Sequence, residues 1–283
     1  MIELRHGGWS LILRPDVGGS IGALTRDGVD ILRRMPDVST DVLDAACFPL
    51  TPYANRIAGG VFEFEGREIA VPVQPAFAPH ALHGDGWLSA WAVEAQDETS
   101  ATLVHRHAQD AWPWAYEARQ AFSLTDAGLS VALSMTNGSD IPMPAGLGLH
   151  PYFPVTDKTR LRFDAAQVWG GGVDEVPTTL LPVADVHDWS WGPRVAEAPF
   201  VDHAYVGDGA AVLAEPGRTT TVTASAKAGW RHIFVPGGDF CCIEPVTHRP
   251  DAAHAPEGEA SGWTVLAPGE TLAMSMDVTV QSN

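Results

Sequence analysis

Four segments of the chain hold side chains that could move protons or grip a polar ligand. Glu244 follows the apolar run Cys241-Cys242-Ile243. A carboxylate at the end of such a strand is expected to be partly desolvated, which raises its pKa and makes it a better base. The plain alternative is a structural glutamate paired with Arg249. His150 sits in the apolar stretch Gly146-Leu147-Gly148-Leu149-His150-Pro151-Tyr152-Phe153. It reads either as a hydrogen-bonded core histidine or as a proton donor held by its neighbours. His83 lies in His80-Ala81-Leu82-His83-Gly84-Asp85-Gly86-Trp87, where flanking glycines allow close approach to a ligand. The alternative is a loop histidine beside a core tryptophan. Asn55 and Arg56 lie between a Pro-Tyr turn and a strand. Arg56 offers a rigid fork of donors for hydroxyls, or else pairs with an acid at the surface.

Two further features bear on metals and thiols. His105-Arg106-His107 puts two imidazoles on one face of a strand. A metal site would need a further acid and histidine in closed geometry. Glu244, His248 and His254 are the available partners, but their spacings match no zinc motif. No metal is therefore expected. Cys47, Cys241 and Cys242 make an odd count with an adjacent pair, which is no disulfide framework. Neighbouring cysteines on a strand point to opposite faces, so three reduced thiols are expected. The chain has no Gly-x-Ser-x-Gly elbow, P-loop or dinucleotide fingerprint.

The elements that must position these residues are strands. Val61-Phe62-Glu63-Phe64-Glu65 alternates apolar and acidic residues, as a half-buried strand requires, and Gly66 supplies a turn before Ile69-Ala70-Val71 returns. Tyr116 to Leu124 is extended and ends at Thr125-Asp126-Ala127-Gly128; Leu129 to Met135 follows, and Asn137-Gly138 closes it with a turn signal. Thr219 to Ala224 is β-branched. Trp263 to Leu266 and Thr271 to Val280 read as a terminal hairpin around Pro268-Gly269-Glu270. Val173 to Pro182 and Pro245 to Gly262 read as loops, and Asp41 to Cys47 as a short helical turn. No three-turn helix, linker or repeat is evident. Many short strands with frequent turns predict an all-β fold, a large antiparallel β-sandwich with residues 1–283 forming one domain.

Charge narrows the partners. With 35 acidic and 17 basic residues the formal net charge is −18. Such a surface repels phosphate backbones and anionic lipid heads, which argues against nucleic acid and membrane partners. Met1 to Leu13 carries Glu3, Arg5 and His6 without a long apolar run, and no stretch of about 20 apolar residues occurs, so a cytoplasmic protein is expected.

Taken in order, the motifs resemble the aldose 1-epimerase (galactose mutarotase-like) family. Asn55-Arg56-Ile57 followed by Gly60-Val61-Phe62-Glu63-Phe64-Glu65-Gly66 is similar to the family's N-R-I…G-x-F-x-F-x-G block. Leu82-His83-Gly84 is similar to its L-H-G block and His150-Pro151-Tyr152-Phe153 to its H-x-Y-F block. Asp174-Glu175-Val176-Pro177-Thr178, Asp202 within Val201-Asp202-His203-Ala204-Tyr205, and Glu244-Pro245 with Pro250-Asp251-Ala252 complete six ordered blocks. The resemblance implies a β-supersandwich with a sugar in an open cleft and no cofactor. It implies that Glu244 is the general base at the anomeric hydroxyl and that His150 gives a proton to the ring oxygen. His83 would steady the developing charge there. Arg56 and Asp202 would grip hydroxyls, and Asn55 would position that edge of the cleft. Acid and base are expected on opposite sides of the sugar ring, in a monomer or homodimer.

Three positions depart from the family pattern. Val246 stands where galactose-type members often have glutamine, His254 where many have asparagine, and Gly148-Leu149 where others have a polar pair. D-Galactose is therefore not implied as the sugar. The alternatives are a non-catalytic carbohydrate-binding protein on the same scaffold and a hexose-6-phosphate 1-epimerase. Two further ones are a metal-dependent enzyme using His105 and His107, and an enzyme acting on another sugar-like ring.

Overall fold

The computed structural model describes residues 1–172 and 175–282. Alternating patterns fold as the period-two rule demands. Tyr116–Thr125 pairs with Gly128–Asn137 in register from Tyr116↔Asn137 to Thr125↔Gly128, and the even-numbered residues of the first strand are buried. Val61–Phe64 pairs with Arg67–Ala70 across Glu65 and Gly66. Both turn residues have positive φ, 50° and 73°, the backbone of a tight turn whose twist matches the strands. Among the described residues the helical segments are three-residue 3₁₀ turns. One spans Val42–Asp44, within the expected stretch, with the Asp41 carboxylate accepting from the Leu43 N–H at 2.9 Å. No described helix is long and apolar enough to cross a membrane.

Two large antiparallel sheets carry the fold. The first runs Ala92–Gln96, Ser100–His107, Tyr116–Thr125, Gly128–Asn137, Thr271–Ser282, Arg218–Ala224, Ala211–Glu215 and Arg160–Arg162. The second runs Thr179–Pro182, Gln167–Gly170, Val201–Val206, Trp230–Val235, Phe240–Val246, Gly148–Leu149 and Pro49–Leu50, with Tyr152–Pro154 also paired to Phe240–Val246. A four-stranded sheet, Ile2–His6 to Val29–Asp30, precedes them. One apolar cluster takes Phe122, Leu133 and Met274 from the first large sheet and Tyr205, Ile233 and Ile243 from the second. The expected β-sandwich is therefore present.

The second sheet has a further buried face. Cys241 belongs to the main core, while Cys242 packs with Phe48, Trp87, Tyr152 and Val246 in a separate cluster. The two thiols point to opposite faces, and all three cysteines are free and buried. Glu244 lies two residues from Cys242 and thus on its face.

Two expectations fail. The last strands do not form a hairpin. Thr264–Leu266 pairs with Met143–Ala145, while Thr271–Ser282 lies between Gly128–Asn137 and Arg218–Ala224. The Pro-Gly-Glu turn redirects the chain from one sheet to another, and a local pattern cannot encode that choice of partner. The segment expected as a loop after residue 172 contains a strand, Thr179–Pro182, paired with Gln167–Gly170. Val173 and Asp174 lie outside the described residues.

Candidate active site

A cleft of about 380 Å³ opens on that second face, within the usual size range for a small-molecule site. The five residues singled out by type and setting, Asn55, Arg56, His83, His150 and Glu244, line it together with Asp202, which the family resemblance added. Their order in the chain is remote, so sheet topology and loop pairing bring them together.

The Asn55 and His83 loops are built as a unit. Arg56–Ile57 pairs with Ala81–Leu82. The Asn55 N–H donates to His83 Nδ1 at 2.9 Å, and the His83 N–H returns a bond to the Asn55 carbonyl at 2.9 Å. His83 Nδ1 is therefore an acceptor, and the ring proton must sit on Nε2. Burial, then the neighbouring His150, hold the His83 pKa well below the ordinary imidazole value, so His83 is a neutral donor. Both residues have positive φ, 58° and 60°. Gly84 follows at φ 72°, and a Cβ there would lie 2.3 Å from the Thr51 carbonyl oxygen, so only glycine fits.

The Pro250-Asp251-Ala252 block supports the same loop from behind. The Asp251 N–H donates to the Arg56 carbonyl, and its carboxylate accepts from the Ala58 N–H (2.9 Å) and from His254 Nδ1 (2.7 Å). His248 Nε2 accepts from the Ala54 N–H at 3.0 Å, while its Nδ1 donates to the Arg249 carbonyl. His248 and His254 thus hold the Asn55-Arg56 loop.

Glu244 and His150 stand side by side. His150 Nε2 is 3.2 Å from Glu244 Oε1, and the imidazole packs against the rings of Phe48 and Tyr152 at centroid distances of 4.6 and 4.7 Å. Glu244 is 2% exposed, and its Oε2 makes no hydrogen bond within the protein. Burial pushes Glu244 up to about 8, partly offset by the positive field of His232. Burial, then His232, push His150 down to about 3. Between those limits the pair shares one proton, which rests mainly on Glu244. This alters two expectations. The resting His150 is a neutral imidazole, and the expected acid and base lie side by side, because Gly148–Leu149 and Tyr152–Pro154, which flank His150, both pair with the strand that carries Glu244. Arg249, the alternative partner for Glu244, instead donates to Glu259 and to the carbonyls of Pro250 and Asp251.

Asp202 anchors the same sheet face two strands away from Glu244. His232 Nε2 donates to its Oδ1 at 2.5 Å, and Arg56 Nη1 lies 3.6 Å from its Oδ2. Burial presses the Asp202 pKa upward, but the bond from His232 and the charges of His232 and Arg56 outweigh it and hold Asp202 ionised. Arg56 also bonds Glu175, the described acid of the block whose Asp174 lies outside the described residues. The Asn55 carboxamide oxygen accepts from the Arg56 N–H at 2.8 Å, and its nitrogen lies 3.4 Å from His232 Nδ1. His232 was not among the residues that sequence reasoning selected. Phe77, Phe200 and Phe234 add apolar surface to the walls.

His105 and His107 belong elsewhere. Both donate to Asp85 Oδ2, at 3.3 and 2.9 Å, and the Tyr116 hydroxyl donates to Asp85 Oδ1 at 2.7 Å. His107 Nε2 donates to the Trp112 carbonyl. Burial opposes the charged form of His107, but the bond and charge of Asp85 prevail and raise its pKa. The partners imagined for a metal site, Glu244, His248 and His254, are engaged with His150, the 54–58 loop and Asp251 instead. Asp85 follows His83-Gly84, so this network ties the His83 loop to the first large sheet.

The comparisons with known proteins agree with this architecture. The family model for aldose 1-epimerase matches residues 1–279. The uncharacterised protein YphB of Escherichia coli K12 is 34% identical over 299 residues, covering 98% of each chain. A solved Escherichia coli K12 structure provisionally described as an aldose 1-epimerase superposes with a TM-score of 0.89 at 33% identity, over 99% of this chain and 98% of that one. A galactose mutarotase-like protein of Clostridium acetobutylicum gives a TM-score of 0.88 at 19% identity, over 99% and 95%, a likeness of fold alone. The match along the whole chain, together with the supersandwich and its cleft, shows that this protein belongs to the aldose 1-epimerase family.

Proposed function

We propose that the protein interconverts the α and β anomers of a free, uncharged aldose by opening and closing its hemiacetal ring. The observation that carries this reading is the Glu244–His150 pair, 3.2 Å apart and lining an open cleft. Ring opening removes a proton from the anomeric hydroxyl and delivers one to the ring oxygen. Those two oxygens share one carbon, so the chemistry calls for a base and an acid side by side. A pair holding one proton has both functions in its carboxylate–imidazolium form. Glu244 takes the hydroxyl proton and His150 gives its proton to the ring oxygen. His83, a neutral Nε2–H donor, steadies the charge developing there. Arg56 and Asp202 hold hydroxyl groups, and Asn55 shapes the loop that carries Arg56. The open-chain aldehyde then turns about C1–C2 and closes on its other face with the roles reversed. None of these steps calls for a redox cofactor.

A purely sugar-binding protein gains nothing from a buried carboxyl whose pKa is raised to about 8, since such a group opposes folding at neutral pH. A phosphorylated sugar is disfavoured by the charge pattern. Arg56 is the one Arg or Lys among the described residues lining the cleft, and it already faces Glu175 and Asp202. The test is magnetisation-transfer NMR of anomer exchange across a panel of pentoses, hexoses and their 6-phosphates. Enzyme-dependent exchange of a neutral aldose is expected. No acceleration of any aldose, or a higher kcat/KM for a 6-phosphate than for its parent, would overturn the reading.

A further inference from the structure

His232 occupies the centre of the site and has no role in the reaction as written above. The Trp230–Val235 strand lies between Val201–Val206 and Phe240–Val246. His232 pairs directly with Glu244 on one side and with Ala204 on the other. Asp202 is two residues from Ala204 and shares its face. The three side chains therefore form a diagonal across one sheet face, with the imidazole between two carboxyl groups. His232 is 4% exposed and its Nε2 donates to Asp202 Oδ1 at 2.5 Å.

We propose that His232 is a positioning residue for ring opening: an imidazolium that fixes the Asp202 carboxylate for a sugar hydroxyl and favours Glu244 as the carboxylate base. The proposal rests on the anomer-exchange reading above. Without a cation at this place, Asp202 would add its repulsion to the burial of Glu244, and the proton that already rests mainly on the glutamate would be held there more tightly. Burial opposes a charge on His232, but Glu244 first and Asp202 next outweigh it and raise its pKa. The same charge pulls Glu244 down, against burial. Other groups near the diagonal are Arg56 on its loop, His83 after Ala81–Leu82, and His150 and Tyr152 beside the Phe240–Val246 strand. His203 next to Asp202, Cys242 on the Glu244 strand, Cys47, His248 behind the Asn55 loop and Arg33 over the Tyr152 ring are the rest. Of the two permanent cations among them, Arg56 is divided between Asp202 and Glu175, and Arg33 is stacked on Tyr152 and Phe240. His232 faces both site carboxyls.

The test reads the two groups directly. The Glu244 carboxyl carbon is followed by ¹³C NMR against pH, its signal identified by its loss in Glu244→Gln. In His232→Gln, which keeps a donor for Asp202 but no charge, the Glu244 midpoint should rise by about one pH unit or more, the size expected for removing a buried charge at cross-strand distance. Reciprocally, the His232 ring nitrogens should titrate at lower pH in Glu244→Gln than in the wild type. That second measurement serves if His232→Gln does not fold. The upper limb of the kcat profile should follow the Glu244 midpoint upward, and KM should rise as Asp202 loosens. A histidine that merely packs would leave both midpoints in place, and that result overturns the proposal whether or not the wild type is active. Midpoints that move in a protein that exchanges no aldose leave the charge relation standing and overturn the functional reading. Midpoints that move together with the kcat limb support both.

Discussion

Replacing Glu244 by glutamine should make the protein more stable and far less active at neutral pH. The magnitude follows from burial. Glu244 is 2% exposed, and its pKa rises from the ordinary 4.5 to about 8 on folding. Below about pH 4.5 the carboxyl is protonated in both folded and unfolded chains, so it imposes no pH-dependent cost. As the pH rises above that, the unfolded chain releases the proton while the folded protein retains it. Each pH unit then costs about 1.4 kcal/mol of stability until the folded group also ionises near 8. At pH 7 the span is 2.5 units, or roughly 3 kcal/mol. Glutamine ionises in neither state, fits the same volume and still bonds His150 Nε2, so most of that cost disappears. Activity moves the other way. Removal of a general base costs about 10²- to 10⁴-fold in rate, about 3–5 kcal/mol of transition-state stabilisation. The assay is urea unfolding of both proteins at pH 5 and pH 7, with anomer exchange measured by NMR on the same samples. The expected result is a stability gain of about 2–3 kcal/mol at pH 7 that nearly vanishes at pH 5. A variant less stable than wild type at pH 7 would show Glu244 to be a paired structural acid and would refute the reasoning. So would a variant retaining more than about a tenth of wild-type kcat.

Anomer exchange should be bell-shaped in pH, because the Glu244–His150 pair holds one proton between about 3 and about 8. Below that window the pair gains a second proton and has no base, and above it the pair has no acid, so a rate still climbing past pH 9 contradicts the pairing. Arg56→Lys keeps the charge but loses the planar fork now facing Glu175 and Asp202, and kcat/KM should fall about 10- to 100-fold with the fold intact by circular dichroism. Exhaustive chelation should leave activity unchanged, since neither proton transfer calls for a Lewis acid; loss with EDTA and recovery with one added divalent ion would contradict this. Asp85→Asn removes the shared acceptor of His105, His107 and Tyr116, and should lower stability by about 2–3 kcal/mol in urea unfolding at pH 7. Burial alone would raise the Asp85 pKa, but those bonds hold it well below the carboxylate range. Its stabilisation is thus present above about pH 4 and should fade as the medium is acidified further.

What the sequence disclosed depended on how local each signal was. Val61–Phe64, Tyr116–Thr125 and Gly128–Asn137 were legible as strands because half-buried strands print their alternation directly in the residues. The pairing of Thr264–Leu266 with Met143–Ala145 was hidden, because a Pro-Gly-Glu turn looks the same whether the chain returns alongside itself or passes to another sheet. His83, His150 and Glu244 were found because glycine or apolar neighbours made them conspicuous. The protonation of the pair was not legible. The low pKa of His150 arises from burial beside Phe48 and Tyr152, rings remote from it or turned toward it only in the fold.

His232 is the instructive omission. In Trp230-Arg231-His232-Ile233-Phe234-Val235 it follows an arginine in an otherwise apolar strand, with nothing local to mark it. The signal lay in symmetry. Pro236-Gly237-Gly238-Asp239 is a turn between two apolar strands, and residues 232 and 244 are equally distant from Gly238. A hairpin folded about that glycine must place His232 opposite Glu244, and the observed register, Trp230↔Val246 through Ile233↔Ile243, does so. A one-residue slip would turn the imidazole to the opposite face and leave Glu244 against a core side chain. Hairpin register therefore sets the charge environment of the candidate base, and a change in the length of the 236–239 turn should reach the pH profile as well as the fold.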